Sequence, residues 1–229
     1  MMDSLSGDVE KALLTRRSVR GFLPRPVEHA LVARILELAA RAPSGTNTQP
    51  WRVHVLTGPS RDELVERVLH ADEREPHLHV GEYDYYPKTW REPYLGRRRK
   101  VGFDLYGLLG IAKGDKVRMA KQHARNYTFF DAPVGLVFVI DRDLQIGSWL
   151  DYGMFLQSIM IAARGVGLDT CPQQAFARYH RVIADYLKLS DGEMVVCGMA
   201  MGYADESEAA NRLVTERVQL DEFVRFHND

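Results

Sequence analysis

The chain has 229 residues, 45% of them hydrophobic, which is enough for one large domain with its own core and no second unit. A formal net charge of -1 and a pI near 6.7 give no general attraction to nucleic acid. Two cysteines, Cys171 and Cys197, are too few for a disulfide scaffold and fit a reducing cytoplasm; no apolar run is long enough to span a membrane, and Met1 to Gly7 is short and polar, unlike a secretory leader.

Along the chain, Arg16-Arg17-Ser18-Val19-Arg20 concentrates three cations and a hydroxyl in five residues. A helix is predicted from Pro26 to about Arg41, because Leu31, Ile35, Leu38 and Ala42 recur at helical spacing and Pro suits a first turn. The alternating, β-branched run Trp51 to Thr57 predicts a strand. Between them lies Ala42-Pro43-Ser44-Gly45-Thr46-Asn47-Thr48-Gln49-Pro50, dense in neutral donors and acceptors. An amphipathic helix follows over 60–73. Residues 74–96 then carry His77, His79, Tyr83, Tyr85, Tyr86, Trp90 and Tyr94 between Pro76, Pro87 and Pro93, an aromatic excursion that continues to about residue 112. Helical patterns cover 97–112 and 115–125. Ala132 to Ile140 is a continuous apolar run, read as a buried strand. Ser148 is the expected cap of a helix to Arg164, stopped by Gly165 and Gly167.

That helix is apolar almost all round, so it packs either at a homodimer interface or in the centre of one subunit. A further helix is expected from Ala175 to Leu189 and a last core strand from Glu193 to Tyr203. The tail over 205–229 is polar yet carries Leu213, Val214, Leu220, Phe223, Val224 and Phe226, which points to wrapping over another surface.

The arginine cluster reads as a solvated surface or as a phosphate site, since the guanidinium fork matches phosphate oxygens. The 42–50 connector reads as a polar turn or as a grip on a polar heterocycle such as a flavin ring. No GxSxG, HExxH, CxxC or GxGxxG pattern is present, so serine-hydrolase, zinc-protease, dithiol and Rossmann chemistry lack their signatures. His77 and His79 read as surface residues and imply no metal site.

Together, Arg16-Arg-Ser-x-Arg20 and Ala42-Pro-Ser-Gly-Thr-Asn-Thr-Gln-Pro-Trp51 closely resemble the opening of the FMN-dependent nitroreductase family. Thr170-Cys-Pro-Gln-Gln174, Gly198-Met-Ala-Met-Gly-Tyr203 and the segment from Thr215 to Val224 resemble its mid-chain flavin segment, last core strand and C-terminal signature. The stretch from Tyr83 to Gly110 is similar to the nitrobenzoate and nitroaromatic reductase branch. The resemblance implies an α+β fold: a central mixed, mainly antiparallel sheet flanked by helices, in an intertwined homodimer with FMN at the interface. It implies an oxidoreductase in which the flavin carries the chemistry. NADH or NADPH and a small aromatic acceptor, a nitroaromatic or a quinone, would use one flavin face in turn, by a ping-pong mechanism. Reductive dehalogenation, other flavin chemistry on the same scaffold, or a non-catalytic flavin-binding redox sensor are the alternatives.

The resemblance places Arg16, Arg17, Ser18 and Arg20 along the phosphate and the pyrimidine edge, with Arg20 near N1/O2. Pro43, Ser44, Gly45, Asn47 and Gln49 flank the ring and ribityl chain. Asn126 is a candidate for the N3/O4 edge, and Pro172, Gln173 and Gln174 lie along the ring edge near N5. Arg217 closes over the phosphate, with the tail of the partner subunit as its expected source. Where many members carry Glu-Gly after the mid-chain Pro, this chain has Gln173-Gln174, which makes the surroundings of N5 less negative. Tyr86, Trp90, Tyr94 and Phe103, with Tyr85, would stack on the acceptor. Arg98, within the basic stretch Arg97 to Lys100, would attract a carboxylate unless that stretch is a solvated helix start. Cys171 is expected to pack rather than react.

Overall fold

A computed structural model describes residues 7–227. Residues 1–6, on which most of the expectation about an N-terminal leader rests, lie outside the described residues. The framework is a four-stranded antiparallel sheet in the order β1 (Arg52–Thr57), β2 (Val134–Asp141), β4 (Glu193–Gly202) and β3 (Asp169–Gln173). An isolated parallel bridge from Ser18 to Thr170 extends the β3 edge and makes the sheet mixed.

The apolar run predicted over 132–140 is buried because both faces of β2 are covered. Val134, Leu136, Phe138 and Ile140 face one core with α2 (His29–Ala39) and α6 (Ile146–Gly165). Val137 and Val139 face the other, with α3 (Gly58–Arg74) and α7 (His180–Leu187). This alternation is the period of two of a strand. Two glycines allow aromatic rings to reach the sheet. A Cβ on Gly135 would fall 2.6 Å from Phe129, and one on Gly198 would fall 2.5 Å from Phe176.

Several boundaries differ from the sequence reading. The α2 helix opens at His29 rather than Pro26, because the amides of Leu31 and Val32 donate to Glu28 O, which fixes the first turn there. Ser148 lies inside the first turn of α6 and donates its amide to Gln145 O, so Gln145 and not Ser148 precedes the helix. The helix expected over 175–189 divides into a 3-10 turn, Gln174–Tyr179, and α7, which ends at Lys188 in a left-handed conformation with φ 57°.

The α6 helix buries one stripe only: Tyr152, Phe155, Ile159 and Ala163. Ile146 is 87% and Leu150 72% exposed, so its other apolar face stays open within one subunit. The excursion forms α4 (Tyr94–Leu108), and α5 (Lys116–Ala124) follows it; neither contains a buried residue. His79 is half-buried rather than a free surface residue: its Nδ1 is buried and its ring lies 5.0 Å from that of Tyr179. No helix among the described residues is long and apolar enough to cross a membrane.

Candidate functional site

The arginine cluster lies where α1 (Asp8–Thr15) gives way to extended chain. Val19 donates to Thr170 O at 3.1 Å, which lays residues 16–20 along β3. Arg16, Arg17, Ser18 and Arg20 line a cavity of about 660 Å³ together with Arg164, Glu206, Thr215 and Arg217. Two of these cations are compensated. Arg17 pairs with Glu206 at 2.7 Å, and Arg164 pairs with Asp169 at 3.0 Å while donating to Thr15 Oγ1. Burial raises the pKa of Asp169, against the pull of Arg164 and Arg17.

Arg16, Arg20 and Arg217 take part in no ion pair among the described residues. Arg20 donates to Ser18 O, and Arg217 donates to Thr215 O, Thr215 Oγ1 and Glu216 O. Such a concentration of unpaired guanidinium groups matches a phosphate monoester. The resemblance makes the partner's tail the expected source of Arg217; within one chain Arg217 already lines the same cavity as Arg16 and Arg20.

A second cavity, of about 950 Å³, opens at the other end of β3 and is lined by Pro172, Gln173, Gln174, Asn126, Tyr83, Tyr85, Tyr86 and Trp149, among others. At about 3.3 Å per residue, Thr170 beside the arginines and Gln173 are roughly 10 Å apart. The glutamine amides are oriented by carbonyls that can only accept. Gln173 donates Nε2 to Asn126 O at 2.6 Å, leaving its Oε1 buried without a partner. Gln174 donates Nε2 to Val196 O at 3.1 Å and also to the hydroxyl of Tyr83. Burial raises the pKa of the Tyr83 phenol, and its ring meets Trp149 edge-on at 4.5 Å. Thr170 Oγ1 is a second buried atom without a partner. Asn126 donates its side-chain amide to His123 O, so its clearest role is to hold Gln173.

The 43–49 loop is placed elsewhere. Pro43, Ser44, Gly45, Asn47 and Gln49 line neither cavity. The loop is pinned to α6 by Gly45 N donating to Asp151 Oδ2 at 3.0 Å, and Ser44 Oγ accepts from Gln49 N. Thr46, Asn47 and Gln49 all have positive φ, near 49°, 60° and 49°. Three such residues in a short exposed loop store strain of the kind found at ligand clamps. Arg164, at the far end of α6, borders the arginine cavity. The helix rise puts it about 20 Å along the axis from Asp151. One subunit therefore holds the two halves of the predicted site apart.

Of the expected acceptor residues, Tyr86 lines the second cavity with Tyr85; Trp90, Tyr94, Phe103 and Arg98 do not. Trp90 stands 5.2 Å from Tyr86, and the Arg98 guanidinium lies 4.9 Å from the Trp90 ring. Arg97 and Lys100 face tail carboxylates, Glu222 at 3.6 Å and Glu216 at 3.3 Å, which leaves Arg98 as the cation of the pair Arg98 and Arg99 that sits on the aromatic cluster.

Sequence reasoning missed Arg164, Glu206, Trp149 and the rim cluster in which Glu82 binds Arg142 at 2.8 Å and His180 at 3.2 Å. None of these carries a motif. Burial lowers the pKa of His180, with Glu82 opposing. Burial pushes the Cys171 thiol up to about 11 and that of Cys197 up to about 12, which suits packing rather than thiolate chemistry.

The family model described as Nitroreductase family matches residues 13–203, most of the chain. This chain belongs to the nitroreductase family. It is 42% identical to a 4-nitrobenzoate reductase of Pseudomonas putida, over 98% of each chain. It is also 42% identical to a chloronitrobenzene nitroreductase of Comamonas testosteroni, covering 95% of this chain and 96% of the relative. Among solved structures, the FMN and NADPH-dependent nitroreductase NfnB from Sphigopyxis sp. strain HMH superposes with a TM-score of 0.93 at 40% identity, over 96% of this chain and 99% of that one. The nitroreductase match stops short of Arg217, whereas the P. putida relative spans the tail as well.

Proposed function

We propose that this chain is an FMN-dependent NAD(P)H oxidoreductase that reduces nitroaromatic or quinone acceptors. The observation that carries the reading is the pairing of two cavities along β3, one rich in unpaired arginines and one lined by amides and aromatic rings. A phosphate-bearing flavin has this polarity, with a dianion at one end and a flat ring of mixed donors and acceptors at the other. The orphaned Thr170 Oγ1 and Gln173 Oε1 between and beside these cavities agree with the same group. The names of the relatives, nitroaromatic reductases and an FMN and NADPH-dependent enzyme, support it.

FMN, when bound, supplies the acceptance of electrons from NAD(P)H and their delivery to the acceptor. The protein's part is to bind and orient. Arg16 and Arg217 hold the phosphate, and Arg20 reaches the N1/O2 edge of the ring. Pro172, Gln173 and Gln174, braced by Asn126, Tyr83 and Val196 O, line the ring edge, and Trp149, Tyr85 and Tyr86 give the larger cavity an aromatic wall on which a flat acceptor can stack. Arg98, backed by Trp90, is the cation available to an acceptor's carboxylate. One open cavity serving both substrates in turn implies ping-pong kinetics.

The working unit is a homodimer with two flavin sites. The open apolar face of α6, the unburied excursion α4 and the strained 43–49 loop all call for a second copy, whose Pro43, Ser44, Gly45, Asn47 and Gln49 complete the site. The 205–229 tail serves the same interface. The two buried free thiols accord with a cytoplasmic location.

Purified protein should be yellow with about one FMN per chain. NAD(P)H should bleach it under anaerobic conditions, a nitroaromatic should restore the colour, and double-reciprocal plots should be parallel. Colourless protein that also fails to take up FMN would sink the reading. Bleaching without acceptor turnover would leave a sensor, and intersecting lines would require a second nucleotide site.

A further inference from the structure

We propose that Glu82 is a specificity-determining residue: it masks Arg142 in the larger cavity and so holds back acceptors that carry a carboxylate, in favour of uncharged ones. The proposal rests on that cavity taking the acceptor. Arg142 is the one lysine or arginine among the residues that line the cavity, against two carboxylates, Glu82 and Asp84. Glu82 Oε1 lies 2.8 Å from Arg142 Nη1, so this positive charge is already compensated. Asp84 is exposed and takes part in no ion pair among the described residues. His180, which faces the other oxygen of Glu82 at 3.2 Å, adds no charge at neutral pH, because burial lowers its pKa. A carboxylate entering the cavity therefore meets like charge and no open cation.

The way Arg142 is held makes Glu82 a mask and not a support. Arg142 Nε donates to Asp191 O at 3.0 Å, and Nη2 donates to Glu193 O at 2.8 Å. Its own backbone amide donates to Gly192 O at 2.8 Å. These carbonyls fix the guanidinium without Glu82, while Nη1 faces Glu82. The Arg142 side chain is 46% exposed, and that of Glu82 only 16%. With the charge of Glu82 removed, a preorganised guanidinium would stand open to the cavity, and its donors match a carboxylate. Arg98 is separate from this effect. It stands on the Trp90 ring and does not line the cavity, so its pull on a carboxylate acts from outside the rim.

The test uses the full-length, flavin-loaded protein with NADH or NADPH, whichever bleaches the flavin. It compares 4-nitrobenzoate with 4-nitrobenzamide, two acceptors of similar shape that differ in charge. Glu82→Gln keeps the shape of the side chain, can still accept from Arg142 and can donate to a neutral His180. It should raise kcat/KM for the carboxylate by about 5- to 50-fold, the scale of a charge pair a few ångströms apart at a part-buried site. The value for the amide should move by less than about threefold. Most of the gain should lie in KM, since the charge acts on binding. Asp84→Asn, a substitution at an exposed position, should shift the preference in the same direction by a smaller factor, and it guards against failure of the Glu82 variant to fold.

Combining Glu82→Gln with Arg142→Gln reads the route of the effect. If the gain comes from the unmasked guanidinium, the double variant should return to nearly the wild-type preference. A gain that persists there would overturn the proposal and leave the oxidoreductase reading intact. Parallel changes for carboxylate and amide, or an unchanged preference in both Glu82→Gln and Asp84→Asn, would do the same. A flavin-loaded wild type that takes electrons from NAD(P)H yet turns over neither acceptor would overturn the acceptor reading and this proposal with it.

Discussion

The arginines of the proposed phosphate cavity are unequal, and their substitution should show it. Arg16 is half-buried and takes part in no ion pair among the described residues, so its full charge is available to a phosphate. A hydrogen bond to a charged group contributes about 1.5–3 kcal/mol, so Arg16→Ala should raise the Kd for FMN by roughly 10- to 150-fold. Arg217→Ala should fall toward the lower end, since Arg217 is exposed in the single chain. Arg17 differs because Glu206 holds it at 2.7 Å, with side-chain exposures of 34% and 74%. Removing a cation that is already compensated takes less from the phosphate, so Arg17→Ala should cost less than Arg16→Ala. Glu206→Gln should tighten FMN by releasing Arg17. The assay is titration of flavin-free protein with FMN at two salt concentrations, with riboflavin as the control. A larger loss for Arg17→Ala than for Arg16→Ala, or FMN binding unchanged in both Arg16→Ala and Arg217→Ala, would refute this ranking.

Three further outcomes follow from the same geometry. Sedimentation at low micromolar concentration should give a dimer, because the apolar face of α6 is uncovered in one chain; a flavin-loaded 26.1 kDa species would contradict it. Arg98→Gln should raise KM for nitrobenzoate more than for nitrobenzene, and equal effects would return Arg98 to a role of packing on Trp90. Glu193 is held below the usual carboxylate range first by the Ser190 backbone N–H at 2.8 Å, then by the Ser190 hydroxyl and Arg52. That stabilisation is present above the unfolded-state pKa, about 4.3, and is lost as pH falls through the lower folded-state value. Ser190→Ala should therefore lower Tm at pH 7, with the gap closing toward pH 3; a gap independent of pH would count against the assignment.

Three of the four strands were legible in the sequence; β3, a short segment interrupted by Pro172, carries no strand pattern of its own. The unbroken Val134-to-Ile140 run has both faces covered, and the alternating β1 sends Val53 and Val55 toward one core and Leu56 toward the other. Helix boundaries were less legible, because they depend on which carbonyl captures the first amides, as Glu28 O does for α2. The tight aromatic packing at Gly198 left no local pattern, since Phe176 comes from a separate element. His79 misled for the same reason: its ring is half-covered by Tyr179, which is far away in sequence.

The site itself was half legible, and the division has a physical cause. Residues that line the two cavities with charge or amide chemistry stand out by composition, as Arg16 to Arg20 and Gln173-Gln174 do. Residues that pair with or border them do not, and Arg164 and Glu206 look like ordinary surface amino acids until the fold brings them to the cavity. A second limit is geometric. The 43–49 loop and the arginine cluster were read as one site on the strength of the family resemblance, yet within one chain they flank opposite ends of α6, about 20 Å apart along its axis. The loop's left-handed residues, the bare side of α6 and the unburied α4 each look like a separate defect of a single chain. The proposed two-fold partner would remove all three at once, by bringing a second 43–49 loop toward the first arginine cluster and covering the apolar surfaces in the same contact. Substitutions in the loop, such as Asn47→Ala, should then weaken flavin binding only in the dimer. Mixing Asn47→Ala with Arg16→Ala subunits should restore one intact site per heterodimer. Failure of mixed dimers to recover any tight FMN binding would place both residues in the same subunit's site and undo the argument.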